Sequence, residues 1–317
     1  MTKVTSFIHG IYPRSDNLAQ VSRDVDRKRK TLEDLERARK KDLNNLLKKQ
    51  QSFSYVEDGK LSWQDIFRPI VQNSENVTEG TLTRWFDNNA FFRQPIITGK
   101  LRLSEEKIKQ YFPKVAKNGK WKVTLPSPYL FAKLAKSEKD FEEILLETTN
   151  ILKDLIIYLE KLGVSFIQLN EPSLPYFETN RKEQALFIQA ITKLASIKRN
   201  TKLAIHFYFG DAAPIIKELV RTHVPIDAVG VDFVKTNLSS LPKRLPYALI
   251  AGIVEGRNSL LEKEKTLKVF IKKVIKTIKP ETLYLTNNSD LQFLPEKVAE
   301  KKVALLEKLQ KSFSKKQ

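Results

Sequence analysis

The sequence predicts an α/β chain folded as a (β/α)8 barrel, and three observations carry that prediction. Short apolar, β-branched runs recur about eight times and alternate with helical patterns, the rhythm of a parallel sheet closed by crossover helices. Several of these runs end abruptly in polar residues, most clearly IQLNEP at 167–172, where proline stops the ladder behind an amide and a carboxylate. No Pro/Gly/Ser-rich linker divides the 317 residues, and 41% of them are hydrophobic, enough for one substantial core. A doubly wound open sheet is the alternative, but the glycine-rich fingerprint is missing after the first strand.

Taken in order, strands are expected at residues 4–9, 94–98, 121–125, 165–169, 203–209, 228–233, 248–254 and 282–286. Helices are expected at 105–111, 138–162, 181–197, 213–222, 259–279 and 296–313. Their apolar residues recur at three- and four-residue spacing, as in Ile215, Ile216, Leu219 and Val220. Residues 18–51 read as one long charged helical excursion packed on the barrel. The chain from 1 to 317 is then a single barrel domain.

Composition excludes several functions. There is no cysteine, which removes disulfides, thiolate nucleophiles and every cysteine-containing metal site. Apolar runs are too short for a membrane span of about 20 residues, and the N-terminus lacks signal-peptide architecture. The expected location is cytoplasmic, with no membrane partner. Lysine and arginine number 56 against 37 acidic residues, a formal charge of +19. Because the lysines fall on helices interleaved with glutamates, ion-paired helix faces are expected. An anionic ligand or an acidic protein partner is the competing explanation. Nucleic-acid binding rests on charge alone, without a recognition motif.

Carboxyl ends of parallel strands are where ligands bind in such folds, so the polar residues there are the candidate site. IQLNEP supplies Gln168, Asn170 and Glu171. IHFYFGD (205–211) supplies His206 and Tyr208, and IDAVGVDFVK (226–235) supplies Asp232. AGIVEGRNSLL (251–261) supplies Glu255, Arg257 and Asn258, a dense cluster that an internal salt bridge also explains. His206, Asp232 and Glu171 are a legitimate ligand set for a harder metal, although a lone histidine between Ile205 and Phe207 is more often packed. His9 ends the first strand. Whether the mouth is open turns on Phe91, Phe92, Phe207 and Phe209.

The ordered series GIYPR (10–14), TRWFDNNAFF (83–92), LPSPYLFAKLAK (125–136), IQLNEPSL, IHFYFGD, IDAVGVDFVK, AGIVEGRNSLL and LTNNSDLQFLP (285–295) resembles the cobalamin-independent methionine synthase family. WFDNN, YFGD with VDFVK, and GIVEGRN look most like the N-terminal, zinc-less barrel of the two-barrel enzymes, here as a stand-alone chain. In that family the catalytic barrel holds zinc through His, two Cys and Glu. The metal lowers the pKa of homocysteine's thiol for attack on the N5-methyl of a polyglutamylated methyl-folate.

What the resemblance implies for this chain is a degenerate metal site. One register puts Ile205 at the metal histidine and Phe207 at the first cysteine. A shift by one restores His206 but puts Tyr208 at the cysteine. Asp232 lies near the glutamate ligand, Ser289 near the last cysteine, and Arg257 near the catalytic histidine. No metal and no other cofactor are expected. On the folate side, Arg14 is retained in YPR, and Arg84 stands where a lysine precedes Trp85 and Asp87. An arginine holds a carboxylate bidentately, so polyglutamyl folate is a candidate ligand; pairing of Arg14 with Asp16 and of Arg84 with Asp87 is the structural alternative. Asn170 replaces an aspartate that contacts substrate. The implied function is a non-catalytic accessory or folate-binding subunit acting with a separate zinc-bearing barrel in methionine biosynthesis. A self-standing methyltransferase acting on homocysteine is the alternative enzyme reading.

Overall fold

The computed structural model describes residues 2–104, 108–113 and 120–314. Among the described residues ten strands occur in chain order: β1 (Lys3–Ser6), β2 (Ser74–Arg84), β3 (Phe91–Leu103), β4 (Lys122–Pro126), β5 (Lys136–Ser137), β6 (Phe166–Asn170), β7 (Lys202–Phe207), β8 (Ala228–Asp232), β9 (Ala248–Val254) and β10 (Thr282–Asn287). Seven of them form one parallel sheet in the order β1-β10-β9-β8-β7-β6-β4. Helices Phe141–Lys161, Arg181–Ile197, Ala213–Arg221, Glu264–Ile278 and Glu296–Ser314 separate or follow these strands, close to the expected bounds.

The gap between β4 and β1 is filled by residues 54–57. Ser54 N–H donates to Ser6 O (3.2 Å), Val56 N–H to Lys120 O (2.8 Å), and Lys122 N–H to Val56 O (3.0 Å). Val56 and Trp121 form a parallel bridge. This short stave brings the wall to eight positions and curls the sheet into a barrel. It also corrects the expectation for the second strand. Residues 94–98 lie in β3, which pairs antiparallel with β2 in a hairpin outside the barrel. The hairpin carries the stronger β pattern, and four residues are too few to show a period.

The charged excursion is two helices rather than one. Asp16–Asp26 begins at Ser15, whose side chain accepts from Leu18 N–H. Leu32–Lys49 begins at a reciprocal capping box between Thr31 and Asp34. Lys28 between them is left-handed (φ 57°), which ends the first helix. Of the helix expected at 105–111, residues 105–107 lie outside the described residues, and Lys109–Tyr111 is a single 3-10 turn.

Strand pleating sorts the core into two populations. Ile167, Leu169, Leu203, Ile205, Phe207, Val229 and Leu249 join the large cluster shared with the helices; Phe207, for example, meets Phe187 of helix Arg181–Ile197. Phe7, Phe166, Ala204, Ala228, Ile250 and Tyr284 form a separate inner layer. Next to that layer sits an ion cluster. Lys122 Nζ lies 2.8 Å from Glu57 Oε1, 3.0 Å from Thr124 Oγ1, 3.3 Å from Ile8 O, and 4.6 Å above the Phe7 ring. Lys60 Nζ approaches the same carboxylate at 3.7 Å. Burial pulls the Lys122 pKa down to about 8 against the opposing pull of Glu57.

Removing one partner of a buried pair leaves an uncompensated charge, at a cost of about 3–5 kcal/mol. Glu57→Gln is therefore expected to lower the urea-unfolding free energy by about that amount. Adding Lys122→Met to Glu57→Gln is expected to recover most of the loss. A loss below about 1 kcal/mol in the single variant, the range of exposed pairs, would show that the cluster does not hold the stave.

Candidate functional site

At the end of β6, Glu171 is fully buried and wholly engaged. Ser127 Oγ and Ser173 Oγ both donate to its carboxylate, and Leu174 N–H donates at 2.9 Å. Its own N–H reaches His206 O at 2.9 Å, tying β6 to β7. Burial raises its pKa while these donors act in the opposite direction. Gln168 Nε2 donates to Asn170 Oδ1 at 2.8 Å, so these two amides of IQLNEP bond to each other.

On β7 the pleat settles which residues meet the interior. Ile205 and Phe207 face the helices, whereas His206 packs against the rings of His9 (4.3 Å) and Tyr208 (5.8 Å). The inward register is therefore His206 with Tyr208. His206 Nε2 meets Asn288 O at 2.8 Å and His9 Nε2 meets Asn287 O at 2.8 Å. A carbonyl only accepts, so each Nε2 carries the proton and each Nδ1 is a bare acceptor. Both Nδ1 atoms are buried without a partner among the described residues. Gly230 makes room for this arrangement, since a Cβ there would stand 2.0 Å from His206 Nδ1. Burial drives the His206 pKa down to about 4 and places His9 well below its ordinary value.

Asp232 ends β8 with both oxygens occupied. Asn288 Nδ2 and Val234 N–H each donate to Oδ1 at 2.9 Å, and Phe209 N–H donates to Oδ2 at 3.3 Å. Burial raises its pKa. Ser289 Oγ bonds Asn288 Oδ1 at 3.2 Å. Asp290, which the sequence reading missed, accepts from Ile11 N–H at 2.7 Å, and burial lifts its pKa to about 6. Gly10 allows that contact: it is left-handed (φ 79°), and a Cβ would meet Asp290 Oδ1 at 2.1 Å.

Above these groups lies an aromatic lid. The tip of the β2–β3 hairpin sets Phe86 against Trp85 (4.9 Å), Tyr176 (4.8 Å), Phe177 (5.6 Å) and Phe209 (5.4 Å), measured between ring centres. Phe86 (φ 50°) and Phe209 (φ 71°) both hold left-handed backbone, a cost of about 1–3 kcal/mol each. Of the aromatics considered from sequence, only Phe209 caps the mouth. Phe207 faces outward, Phe92 packs on Phe67 and Trp85, and Phe91 is exposed.

Outside the lid, a groove of about 430 Å³ is lined by Asp87, Asn88, Asn89, Glu255, Arg257 and Gln292, among others. The Arg257 guanidinium stacks 4.8 Å above Phe209. Asp87 hydrogen-bonds Tyr176 and so raises that phenol's pKa. Glu255 N–H is held by Glu262 Oε1 (2.7 Å), and Asn258 Oδ1 caps the turn at Leu260 N–H (2.9 Å). Arg84 bonds Asn88 O (3.1 Å) and Asn89 Oδ1 (3.0 Å) rather than Asp87. Arg14 bonds Trp63 O (2.7 Å) rather than Asp16. The structure thus gathers Gln168, Asn170, Glu171, His206, Tyr208, Asp232 and Ser289 under the lid and Asp87, Glu255 and Arg257 above it. Arg14 lies elsewhere, beside the paired N-terminal helices.

These residues do not fit a thiolate-ligated zinc ion. Tyr208 occupies the inward position two residues after His206, Ser289 is hydrogen-bonded, and Asp232 already receives three donors. Among the described residues no three His, Cys, Asp or Glu side chains converge as a metal-binding group.

Residues 49–279 match the family described as cobalamin-independent synthase, N-terminal domain. The 5-methyltetrahydropteroyltriglutamate–homocysteine methyltransferase of Desulforamulus reducens is 24% identical over 254 residues, covering 77% of this chain and 32% of that protein. The enzyme of the same name from Streptococcus suis is 31% identical over 229 residues, covering 68% and 29%. The chain therefore matches about a third of the length of these relatives. Among solved structures, a B12-independent methionine synthase from Shewanella sp. W3-18-1 in complex with selenomethionine superposes with TM-score 0.73 at 17% identity, covering 98% of each chain. A putative vitamin-B12 independent methionine synthase from Listeria monocytogenes gives 0.76 at 16%, covering 98% of this chain and 99% of that one. At such identities these two show the fold.

The histidines give a pH signature. Unfolded, a histidine takes its proton near about 6.5; folded, His206 resists until about 4. In that window the unfolded chain binds more protons, so stability falls as pH drops. Asp290 opposes this, because its raised pKa costs stability as pH rises toward about 6. Comparing wild type with His206→Gln cancels the Asp290 contribution. The difference in unfolding free energy is expected to change across this window with a slope of about one proton. A flat difference would contradict the buried, neutral histidine.

Proposed function

This chain belongs to the cobalamin-independent synthase family, in its N-terminal-domain group, and from that membership we propose that it is a non-catalytic barrel of the methionine-synthase system. It acts beside a separate zinc-bearing barrel and contributes to holding the methyl donor. The observation that carries this reading is the state of the strand-end set. Asn170, Glu171, His206, Tyr208, Asp232 and Ser289 are all 0% exposed, and most of their polar atoms are already bonded within the protein. A catalytic mouth needs groups that exchange partners with substrate; here these groups fix loops.

The absence of a zinc ion belongs to the same proposal, since the inward position that needs a thiolate carries the Tyr208 phenol. For the methyl donor, Arg14 and Arg84 remain the candidate contacts. Each now spends part of its guanidinium on a carbonyl, Trp63 O or Asn88 O. A guanidinium has five N–H donors, which leaves a fork for a carboxylate of a polyglutamyl tail.

Two measurements test the proposal. The purified chain is expected to form no methionine from homocysteine and methyltetrahydropteroyltriglutamate, and to increase turnover when a cysteine-containing barrel of the family is added. Methionine formation by the chain alone, or one zinc per chain by elemental analysis, would overturn it. For the folate contact, Arg14→Ala with Arg84→Ala is expected to weaken triglutamyl-folate binding by about tenfold or more, the scale of one charge-assisted hydrogen bond. Unchanged affinity would assign both arginines to their internal bonds.

A further inference from the structure

We propose that residues 260–279 form a docking surface for an acidic, amphipathic segment of another protein. Helix Glu264–Ile278 buries Ile271, Val274 and Ile278. Its outer face carries Lys265, Lys268, Lys272 and Lys276, and Lys279 follows as its cap. These fall at three- and four-residue steps, so they line up along one face over about 21 Å. Lys273 stands beside the row.

The row is not a balanced surface. Its only acid, Glu264, is taken by Lys268. Lys265, Lys272, Lys273, Lys276 and Lys279 form no ion pair among the described residues. The neighbouring helix Glu296–Ser314 adds exposed Lys301 and Lys308. This departs from the ion-paired faces expected from sequence. Helix Leu32–Lys49 does meet that expectation, with Arg37 on Asp34 and Arg39 on Glu36. Like charges at such spacing destabilise a helix, so an unpaired row is a standing strain that a polyanionic partner relieves.

Apolar exposure falls in the same stretch. Leu260 is 74%, Leu261 50% and Val269 64% exposed. The two leucines are presented on a fixed loop: Lys302, itself 0% exposed, donates to Leu260 O and Glu262 Oε1 at 2.8 Å each. Ordering that loop therefore adds little cost to binding. Bare leucines beside a lysine row select against a phosphate backbone, which has no use for them, and the ring on this helix, Phe270, is packed edge-on with Phe233 against the core. Lysines in register with an i, i+4 ladder instead match a helix with glutamates on one face and apolar residues at one end. The proposal is independent of the accessory-barrel reading, because the row lies on an outer helix.

The test uses the full chain and a fluorescein-labelled helical peptide of roughly 18 residues, long enough to span the row. The peptide carries glutamates at i, i+4 spacing and a leucine pair at one end. Binding by anisotropy is expected for wild type. It should weaken about tenfold in Lys272→Glu/Lys276→Glu and about tenfold in Leu260→Ser/Leu261→Ser. The control Lys40→Glu/Lys41→Glu, on another helix, should bind as wild type does. Three results would overturn the proposal: no binding by wild type, wild-type affinity in either the lysine or the leucine variant, or equally tight binding of a single-stranded oligonucleotide or phosphatidylserine vesicles.

Discussion

The architecture rests on one buried charge cluster at the barrel's weakest seam. Seven strands pair through parallel ladders, but the eighth position is held by residues 54–57 alone. Glu57, at the end of that stave, reaches Lys122 on β4, and Lys122 in turn reaches Ile8 O beyond β1. One lysine thus touches all three segments at the seam. Buried pairs are rarely stabilising relative to apolar packing, and their best-attested use is to fix register. Here the register in question is closure itself. An apolar pair at these positions would bury comparable surface and leave the stave free to slip.

Closure determines what the strand ends can do. With eight staves in place, inward side chains alternate with outward ones, and His206, Tyr208 and Asp232 converge above the inner aromatic layer. The β2–β3 hairpin, outside the barrel, then lays Phe86 over them. In a (β/α)8 enzyme the corresponding face is left open to loops that bind substrate. In this chain Asp232 and Glu171 each hold three donors, and their carboxylates act as anchors for loops. The same residue types that would serve chemistry in an open mouth serve cohesion in a closed one. Two left-handed aromatic residues at the lid show that the closed arrangement is bought with backbone strain.

Much of this was legible in the sequence, and the failures have physical reasons. Strands such as 248–254 and the helix at 181–197 were readable because burial on one or both sides imposes a period. The missing cysteines excluded a thiolate site outright. Residues 54–57 were not readable, because their pairing is specified by Glu57 and Lys122, 65 residues apart, and not by a local pattern. The lid was half-readable. Phe209 belongs to a motif, but Phe86, Tyr176 and Phe177 meet only in three dimensions. The choice between Ile205/Phe207 and His206/Tyr208 needed the pleat, which a one-residue ambiguity inverts. The lysine row was visible as composition, yet whether its charges are paired depends on neighbours that sequence does not place.

The central claim is that the strand-end polar groups are spent inside the protein beneath a closed lid. Hydrogen exchange at the amides of Leu174, Phe209, Val234 and Gly256 tests it most directly, since the first donates to Glu171, the next two to Asp232 and the last to Asn288, which itself donates to Asp232. The account predicts that all four exchange only through global unfolding and are unchanged by homocysteine and methyl-folate. Fast exchange at these amides, slowed when either ligand is added, would contradict it by showing that the mouth opens to bind.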